Sequence, residues 1–376
     1  MKKVVFYTQS LFKGGAERVV TLLAERFALA GFDTTVATID KGENEYPLTD
    51  HVRRVYVGLQ PSDQNKGRLT RMYLRRRYLR DFLKQERPDV VISFLKHPIL
   101  YSLSAVSGLH IPVITAERSN PEVSFASRFD RLCARIYMKR AAGYVFQTKG
   151  QHEFFIPYIP QNRDNSIIIL NPVTATYINV PPAAVREKSV VHHARLVDFK
   201  DQQLMIRAFV RVHEKHPDYC LKIYGNDSHD GTKELLEKTI AETGSAAYCF
   251  LLGGDVAFEE VIPKGSVYLF SSYYEGLSNS VLEAMAMGMP IVATDCPCGG
   301  NRTLITDGVN GLLVPIREEE PMAEAVCKLI EDRDLAERLG LSARKITERA
   351  NIDSIFEQWR DYVITIIDTC QTERTH

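Results

Sequence analysis

Short apolar runs alternate with helical patterns in the first half of the chain, and the same alternation begins again in the second half. Because strands that alternate with helices form parallel sheets covered on both faces, this pattern predicts two doubly wound α/β domains. Asn171-Pro172-Val173 and the pair Pro181-Pro182 have the composition of a linker between them. The predicted strands occupy residues 4–8, 34–39, 90–94, 113–115, 143–147 and 167–170, and then 190–193, 219–224, 248–252, 267–270, 291–293 and 311–314. The predicted helices include residues 16–30, 200–216, 232–243, 281–287, 322–331 and 335–350.

Composition places the chain among water-soluble globular proteins. Its 376 residues are 45% hydrophobic and 25% charged, which suits two domains. No apolar core of signal-peptide length follows Lys2-Lys3, and no run approaches the roughly 18 to 20 apolar residues that span a bilayer. The seven cysteines are scattered, and the one close pair, Cys296 and Cys298, lacks a second pair with zinc-site spacing. We therefore expect reduced thiols and a cytoplasmic location.

The net charge of zero hides an asymmetry between the two halves. Residues 1–170 hold 26 lysines and arginines against 16 acidic residues, whereas residues 171–376 hold 21 against 31. This distribution predicts that the first half faces an anionic partner.

Gly276-Leu277-Ser278 is the predicted turn between a strand and a helix. Two carboxylates eight positions apart lie on either side of it, Glu275 before the turn and Glu283 within the helix. A helix that begins there presents free backbone N–H groups and its positive dipole end, which can bind a phosphate. A carboxylate on either side can bind pairs of sugar hydroxyls. The arrangement predicts a site for a nucleotide sugar.

The same spacing resembles the Glu-x7-Glu element of retaining glycosyltransferases, and the chain resembles family 4 of those enzymes from end to end. The stretches 289–300 and 307–314 continue the family pattern. The resemblance implies the GT-B architecture, in which two Rossmann-like domains face each other across a cleft and the last helix crosses back. Apolar positions such as Phe356 and Trp359 suit that helix. The expected domains are an acceptor-binding one, residues 1–172 with 352–376, and a nucleotide-sugar-binding one, residues 173–351.

Arg195 and Lys200 match the family's Arg-Leu-x-x-x-Lys element, which grips the donor diphosphate. Fixed cations stabilise the negative charge that develops on the leaving phosphate when the glycosidic bond breaks. Two surface cations at a helix start are the alternative, although cations are misplaced there without an anion. By resemblance, Glu275 holds hydroxyls of the transferred sugar and Glu283 holds the ribose hydroxyls. Arg195, Lys200 and Glu275 are the predicted catalytic residues.

Three shorter stretches also resemble family motifs at the donor site. Lys13-Gly14-Gly15 with Glu17 resembles the family's GGxE loop, which assigns Gly14 and Gly15 to the donor and Glu17 to the acceptor; the spacing is not that of a dinucleotide site. Gly225 ends a strand like the family loop that lines the donor site. Val256 lies in a segment resembling the one whose main chain reads the base. Residues 257–265 depart from the family pattern, which leaves the identity of the base open.

Glu117 and Arg118 follow a predicted strand at the position where many relatives carry Glu-His, and the resemblance assigns both to the acceptor site. Arg118 is therefore expected either to contact the sugar or an acceptor phosphate, or to be structural. His97, which follows the strand 90–94, is a weaker candidate for the same edge, and a structural role is favoured for it.

A basic helical pattern covers residues 68–83, with Leu69, Met72, Leu79 and Leu83 as its expected core stripe and Arg71 and Arg75 beside the aromatic residues Tyr78 and Phe82. Aromatic residues interleaved with arginines suit a bilayer interface or a pyrophosphate carried on a lipid, so Arg71 and Arg75 are predicted to bind the acceptor. A solvated basic helix remains the alternative. Nucleic acid is not expected, because no stacking platform accompanies the helix.

No metal or cofactor is expected. His192 and His193 are adjacent on a strand and point to opposite faces, so one ion cannot bind both. Asp332-Arg-Asp334 lies between two polar helices and is interpreted as a solvated turn. Arg195 and Lys200 then take the place of a metal cation.

The predicted function is a retaining transfer of a hexose or N-acetylhexosamine from a nucleotide sugar, expected to be a UDP-sugar, to a saccharide acceptor. The closest resemblance is to bacterial enzymes that build glycans on polyprenyl pyrophosphate, which implies a peripheral position at the cytoplasmic membrane face. A transferase with a soluble acceptor, a nucleotide-sugar epimerase of the same architecture and a binding protein with a vestigial site are the alternatives.

Overall fold

The computed structural model describes residues 1–12, 14–158 and 165–375. The chain divides into two compact units, which we call unit 1 (Met1–Asn171 with Ile352–His376) and unit 2 (Pro172–Asn351). Each unit contains one parallel sheet covered by helices, and the predicted class of two doubly wound α/β domains is confirmed.

Unit 1 contains a parallel sheet of seven strands in the order β3-β2-β1-β4-β5-β6-β7. The central strand β4 is buried along its whole length, as expected for a strand with helices on both faces. The strands are β1 (Lys3–Thr8), β2 (Asp33–Thr38), β3 (Arg53–Tyr56), β4 (Val90–Phe94), β5 (Val113–Ala116), β6 (Gly143–Phe146) and β7 (Ser166–Ile168). The helices are α1 (Gly15–Leu29), α2 (Arg68–Glu86), α3 (Lys96–Ala105), α4 (Pro121–Ser124), α5 (Arg128–Tyr137) and α6 (Lys149–Phe155).

Unit 2 contains a parallel sheet of six strands in the order β10-β9-β8-β11-β12-β13. The strands are β8 (Glu187–His193), β9 (Cys220–Tyr224), β10 (Cys249–Leu252), β11 (Gly265–Phe270), β12 (Ile291–Thr294) and β13 (Leu312–Val314). The helices are α7 (Ala175–Ile178), α8 (Gln202–Lys215), α9 (Thr232–Thr243), α10 (Phe258–Val261), α11 (Asn279–Ala286), α12 (Gly300–Leu304), α13 (Glu319–Glu331), α14 (Arg333–Arg344) and α15 (Ile346–Ala350).

The last helix, α16 (Ile352–Thr375), belongs to unit 1, as the apolar stripe predicted. Trp359 is fully buried and stacks on Phe94 with ring centroids 5.8 Å apart. Phe356 meets Phe27 of α1 edge to face at 5.2 Å, and the Tyr362 hydroxyl accepts a 2.8 Å hydrogen bond from the backbone N–H of Tyr144. These aromatic contacts tie the end of the chain to the amino-terminal sheet.

Some sequence predictions about local structure were wrong. The edge strand β3 was missed, since its Arg53-Arg54 start lacks the apolar character of a buried strand. The helix predicted at 335–350 divides into α14 and α15 at Lys345, next to Arg344, whose guanidinium donates to the carbonyls of Ile178 and Val180, 2.6 Å from each.

The predicted core stripe of α2 was also wrong at its amino-terminal end. Leu69 is 81% exposed and Met72 is exposed as well, whereas Leu74, Leu79 and Leu83 are buried. The first turns of α2 therefore present apolar side chains to the outside of unit 1.

Candidate functional site

In unit 2, the strand order reverses between β8 and β11. Ligands of open parallel sheets bind beyond the carboxyl ends of the strands at such a switch point. Arg195 and Lys200 follow β8, and Glu275 follows β11. The three predicted catalytic residues therefore come from the two strands that flank the switch point.

Lys200 and Glu275 form an ion pair between Lys200 Nζ and Glu275 Oε1. Their side chains are 14% and 15% exposed, so the pair is largely withdrawn from solvent. The Ser272 hydroxyl donates to Glu275 Oε1 at 3.1 Å, and Lys200 Nζ lies 5.1 Å from the ring centre of Phe270. Two residues predicted from separate motifs thus form one charged unit.

Arg195 is exposed, in contrast to Lys200. Its backbone carbonyl accepts a 2.9 Å hydrogen bond from the Gln202 side chain at the start of α8. Within the described residues its guanidinium forms no ion pair and no hydrogen bond. The structure therefore does not join Arg195 to the Lys200–Glu275 pair.

The turn from β11 into α11 contains the predicted phosphate-binding backbone. Ser278 caps the helix, its hydroxyl accepting from the N–H of Val281 at 3.4 Å. Gly276 and Leu277 are buried. A Cβ placed on Gly300 would lie 1.9 Å from the Gly276 carbonyl oxygen, so glycine at 300 permits the loop after β12 to hold this turn.

Glu283 lies in the second turn of α11 and is 5% exposed. Burial raises the pKa of the Tyr268 phenol, and the negative charges of Glu283 and Glu275 raise it further. The two carboxylates lie on the two sides of the capped turn, Glu275 before it and Glu283 within α11.

Gly225 follows β9 at a point of close backbone approach. A Cβ there would lie 2.2 Å from the carbonyl oxygen of Ala194. Asn226 then connects two loops, because its side chain donates to Asp255 at 2.8 Å and accepts from the Gly254 N–H at 2.9 Å. Val256, next in this loop, is exposed.

Sequence reasoning missed an aromatic cluster beside the ion pair. The Tyr273 hydroxyl donates to the Asp198 carboxylate, and the Arg317 guanidinium lies 4.4 Å from the centre of the Tyr273 ring. Phe199 stacks on Tyr274 at 4.8 Å. Burial and the Asp198 carboxylate raise the pKa of Tyr273 to about 12. The Tyr273-Tyr274 pair directly before Glu275 was the available signal.

In unit 1, the strand order reverses between β1 and β4. Gly14 is the extended residue before α1, which begins at Gly15. A Cβ on Gly14 would lie 2.4 Å from Glu17 Oε2, so the Glu17 carboxylate folds back over the glycine backbone. Lys13 lies outside the described residues.

Glu117 and Arg118 are both almost completely buried. Glu117 Oε1 accepts hydrogen bonds from the backbone N–H groups of Arg118 and Ser119, each at 3.0 Å, and burial raises its pKa. The Arg118 guanidinium lies 5.0 Å from the Phe94 ring centre and 5.4 Å from that of Trp359, and burial lowers its pKa to about 9. Its Nη1 donates to Asn171 Oδ1 at 3.3 Å, while Nε and Nη2 are buried without a hydrogen-bond partner among the described residues, so both predicted roles of Arg118 stay open.

A cavity of about 900 Å³ opens in unit 1 between α2, α3 and α5. Its cationic lining residues are Arg68, Arg71, Arg75, Arg76 and Lys96. The lining residues include one carboxylate, Asp130, which is paired with Lys96 at 3.3 Å. Burial lowers the pKa of His97 in the same lining, and the charges of Lys96 and Arg75 lower it further. The cavity therefore has an excess of positive charge suited to an anion.

Arg71 and Arg75 line this cavity, and neither forms an ion pair among the described residues. The Arg75 Nε atom is buried without a hydrogen-bond partner. The continuous helix α2 keeps these arginines on one face with Tyr78 and Phe82, as predicted, but neither aromatic residue lines the cavity: the Tyr78 hydroxyl donates to buried Asp63 at 2.8 Å and Phe82 packs against the core. The guanidinium groups of Arg71 and Arg75 are therefore available to an anion in the cavity.

Two residues weighed above as possible metal ligands, His192 and Asp332, make structural contacts instead. His192 is buried, its Nδ1–H donates to the Leu269 carbonyl at 2.9 Å, and burial lowers its pKa to about 3. Asp332 caps α14 by accepting from the N–H of Leu335 at 2.9 Å. A separate group, His216 with Cys327 and Glu331, has ligand atoms within 4.8 Å of one another, and a 3.0 Å hydrogen bond between His216 and Glu331 accounts for that proximity.

None of the helices in the described ranges combines the length and the apolar character that a bilayer span requires.

Two family models match the chain, one over most of its first half and the start of unit 2, the other within unit 2. The model for family 4 glycosyltransferases matches residues 13–176, and the model for group 1 glycosyl transferases matches residues 187–332. Lys200, Glu275 and Glu283 all lie within the second match.

Individual proteins also resemble the chain along most of its length. A Haemophilus influenzae protein described as an uncharacterized glycosyltransferase is 25% identical over 96% of this chain and 99% of its own. One from Methanocaldococcus jannaschii, described in the same way, is 25% identical over 76% of this chain and 79% of its own. The crystal structure of HepE of Anabaena in complex with UDP-glucose superposes with a TM-score of 0.81 at 19% identity, over 97% of this chain and 100% of that one. The structural likeness shows a shared fold.

Proposed function

This chain belongs to the family 4 glycosyltransferases, and we propose that it transfers a hexose or N-acetylhexosamine from a UDP-sugar to a saccharide carried on polyprenyl pyrophosphate. Family membership makes it a retaining, metal-independent glycosyltransferase with the GT-B fold, which removes the epimerase alternative. The identities of the transferred sugar, the nucleotide and the acceptor are what we propose.

One observation carries the donor half of the proposal. At the switch point of unit 2, the Lys200–Glu275 ion pair lies beside the capped turn that begins α11. A diphosphate bound at that turn brings negative charge to Lys200, and Glu275 becomes available to hydroxyls of the attached sugar. This exchange of partners matches a ligand that is anionic at one end and rich in hydroxyls at the other.

The proposed chemistry breaks the bond between the sugar C1 and the β-phosphate oxygen and forms a bond from C1 to the acceptor oxygen on the same face. The leaving β-phosphate gains negative charge, which Lys200 and Arg195 stabilise, and its oxygen accepts the proton that the acceptor hydroxyl loses. Glu275 holds the transferred sugar. Glu283 holds the ribose hydroxyls, and its burial at the second turn of α11 suits a directed contact.

The choice of UDP rests on the similar structure of HepE, which was determined with UDP-glucose. The loop joined by Asn226 and Asp255 offers main-chain groups and the exposed Val256 to a base. Main-chain recognition of this kind discriminates between bases through a small number of hydrogen bonds.

The acceptor half of the proposal is supported by the arginine-lined cavity of unit 1. Arg71 and Arg75 offer forked donors without ion-pair partners among the described residues, and pyrophosphate oxygens are their natural complement. Glu17 and Glu117 are proposed on the acceptor side by resemblance. Arg118, which packs against the stacked rings of Phe94 and Trp359, is kept on the acceptor side by the same resemblance.

Release of nucleoside diphosphate from a panel of UDP-, GDP- and ADP-sugars tests the proposal. Each donor is incubated with the protein alone, with a soluble oligosaccharide and with a polyprenyl-pyrophosphate-linked saccharide. Release that requires a UDP-sugar and the lipid-linked acceptor is the expected result. Transfer to the soluble oligosaccharide at equal kcat/KM would overturn the acceptor assignment, and release from GDP- or ADP-sugars would overturn the choice of UDP.

A further inference from the structure

An apolar ridge lies on the exposed side of α5. Phe129, Leu132 and Ile136 are 64%, 53% and 47% exposed. At about 100° per residue they fall within an arc of about 60°. A helix of a globular domain normally turns such a stripe to the core, but α5 buries Ala134 and turns its large apolar residues outward.

A basic stripe runs beside this ridge. Arg128, Arg131 and Arg135 fall within a neighbouring arc of about 60°, and all three are exposed. None of them forms an ion pair in the part of the chain that the structure describes. Apolar and cationic stripes side by side on one short helix are typical of helices that lie in a membrane interface.

The first turns of α2 extend the apolar surface. Leu69, Met72 and Tyr73 are exposed there, and Met72, Tyr73 and Phe129 all line the arginine-rich cavity. The exposed apolar residues of α2 and α5 therefore form one rim around the mouth of that cavity. We call Leu69, Met72, Tyr73, Phe129, Leu132 and Ile136 the rim surface.

We propose that the rim surface docks on an anionic bilayer, with Phe129, Leu132 and Ile136 among the acyl chains and the arginines of α5 at the lipid phosphates. The inference deepens the proposed function, since it rests on a lipid-linked acceptor. A pyrophosphate held by Arg71 and Arg75 lies behind the rim, so its lipid chain can pass between the rim residues directly into the bilayer. The surface then extracts the acceptor headgroup while the chain stays in the membrane.

The positive charge of α5 argues against a second copy of the chain as the partner that covers the rim surface. A symmetric dimer places the same patch on both sides of the interface, so it brings the arginine stripes of two α5 helices into one interface. Such like-charge contacts oppose association, whereas lipid phosphates complement them.

Flotation with vesicles tests the proposal on the full-length protein. The expected result is binding to vesicles of phosphatidylcholine with phosphatidylglycerol, and at least about ten-fold weaker partitioning for the triple variant Phe129→Ser, Leu132→Ser, Ile136→Ser. These side chains are exposed, so the variant keeps its fold. The matched control changes three exposed apolar residues of unit 2, Leu235→Ser, Val309→Ser and Leu341→Ser, and is expected to bind like the parent.

A fluorescence reporter distinguishes insertion from simple adsorption. The chain has a single tryptophan, Trp359, which is fully buried and gives a constant background. A tryptophan introduced by Phe129→Trp is expected to shift its emission to the blue with anionic vesicles and to be quenched by brominated acyl chains. Leu341→Trp, on unit 2, is the control and is expected to show neither change.

The outcomes separate this inference from the proposed function. Vesicle binding needs no donor or acceptor, so it is measured even if no sugar is transferred. Equal vesicle binding by the parent and the triple serine variant, or an unquenched Phe129→Trp, overturns the docking surface. A parent dimer that the triple serine variant converts to a monomer also overturns it, since the rim surface is then a protein interface. Transfer to a water-soluble pyrophosphate acceptor by the double variant Leu132→Ser, Ile136→Ser, whose positions do not line the cavity, with loss of transfer to the vesicle-bound acceptor, supports both.

Discussion

The candidate donor site of unit 2 and the cavity of unit 1 are built from opposite electrostatic arrangements. In unit 2 the key cation and carboxylate, Lys200 and Glu275, neutralise each other and are largely buried. In unit 1 the arginines Arg71 and Arg75 face a cavity without ion-pair partners among the described residues. Both arrangements lie near the point where the strand order of a parallel sheet reverses.

The difference indicates two modes of recognition. A pre-formed ion pair holds its groups in position and exchanges partners when a ligand of the right geometry arrives, which favours directional selectivity. Unpaired cations around an open cavity attract any suitably sized anion and depend on ionic strength. We therefore expect variants in unit 2 to change catalysis and donor affinity, and variants in unit 1 to change acceptor affinity alone.

The largest expected effect comes from Lys200→Ala. Loss of a cation aimed at the leaving phosphate is expected to lower kcat about 100- to 1,000-fold. It also leaves the Glu275 carboxylate unpaired in a largely buried position, so the free energy of unfolding is expected to fall by about 3–5 kcal/mol. Steady-state kinetics and urea denaturation measure the two effects.

The double variant Lys200→Ala, Glu275→Gln separates catalysis from stability. Removing the orphaned charge is expected to recover most of the free energy of unfolding without recovering kcat. If the double variant regains activity together with stability, the pair is structural and the donor assignment of unit 2 fails.

Glu283→Ala is expected to weaken the binding of the nucleotide sugar by one to two powers of ten. Charge-assisted hydrogen bonds to the ribose hydroxyls contribute about 1.5–3 kcal/mol each, and about 1.4 kcal/mol corresponds to a factor of ten. Calorimetric titration with UDP and with the UDP-sugar measures the change. Glu283→Gln keeps the volume and one acceptor oxygen and is expected to lose less, while an unchanged Kd for UDP in both variants would remove Glu283 from the donor site.

Arg75→Ala is the corresponding test in unit 1. We expect the KM for a pyrophosphate-linked acceptor to rise about ten-fold, because one forked donor to the phosphate is lost, with the Kd for UDP unchanged. Arg77→Ala on the same helix is the matched control, since Arg77 does not line the cavity and instead lies 3.6 Å from Asp81. Equal effects of the two variants would mean that net charge, rather than the cavity, governs acceptor binding.

The two units also differ in how far sequence alone could predict them. In unit 2, Lys200, Glu275 and the Ser278 turn come from short motifs that directly follow a strand, so local spacing was enough to place them at one sheet edge. The contact between Lys200 and Glu275 depends on β8 lying beside β11, and a 75-residue separation conceals that pairing. The fold class was predictable for the same reason, since each βα unit is locally encoded.

In unit 1 the cavity brings together side chains from α2, α3 and α5, and no motif links those segments. Arg75 could be singled out because its helix is unusually basic, but Lys96 and the whole of α5 were missed. The surroundings of Arg118 also could not be predicted from local sequence. Its position after β5 suggested a ligand contact, while its burial against Phe94 and Trp359 depends on a helix more than 230 residues further along the chain.

The smallest expected effect is on the pH dependence of the free energy of unfolding, to which one buried titratable group in each unit contributes. His192 in unit 2 has a pKa near 3 in the folded protein against about 6.5 when unfolded, so between these values the unfolded chain binds a proton that the folded chain does not. Stability therefore falls as pH decreases below 6.5, by about 2 kcal/mol between pH 8 and pH 5. Glu117 in unit 1, whose pKa is raised by burial, acts with the opposite sign, because its contribution is lost as pH rises.

His192→Asn isolates the unit 2 contribution. The asparagine amide can replace the Nδ1–H that donates to the Leu269 carbonyl, but it does not titrate. Urea denaturation followed by circular dichroism is expected to show a smaller loss between pH 8 and pH 5 for the variant than for the parent. The same loss in both proteins would mean that His192 keeps an ordinary pKa in the folded state, and that the acid sensitivity of unit 2 arises from other groups, such as its ion pairs.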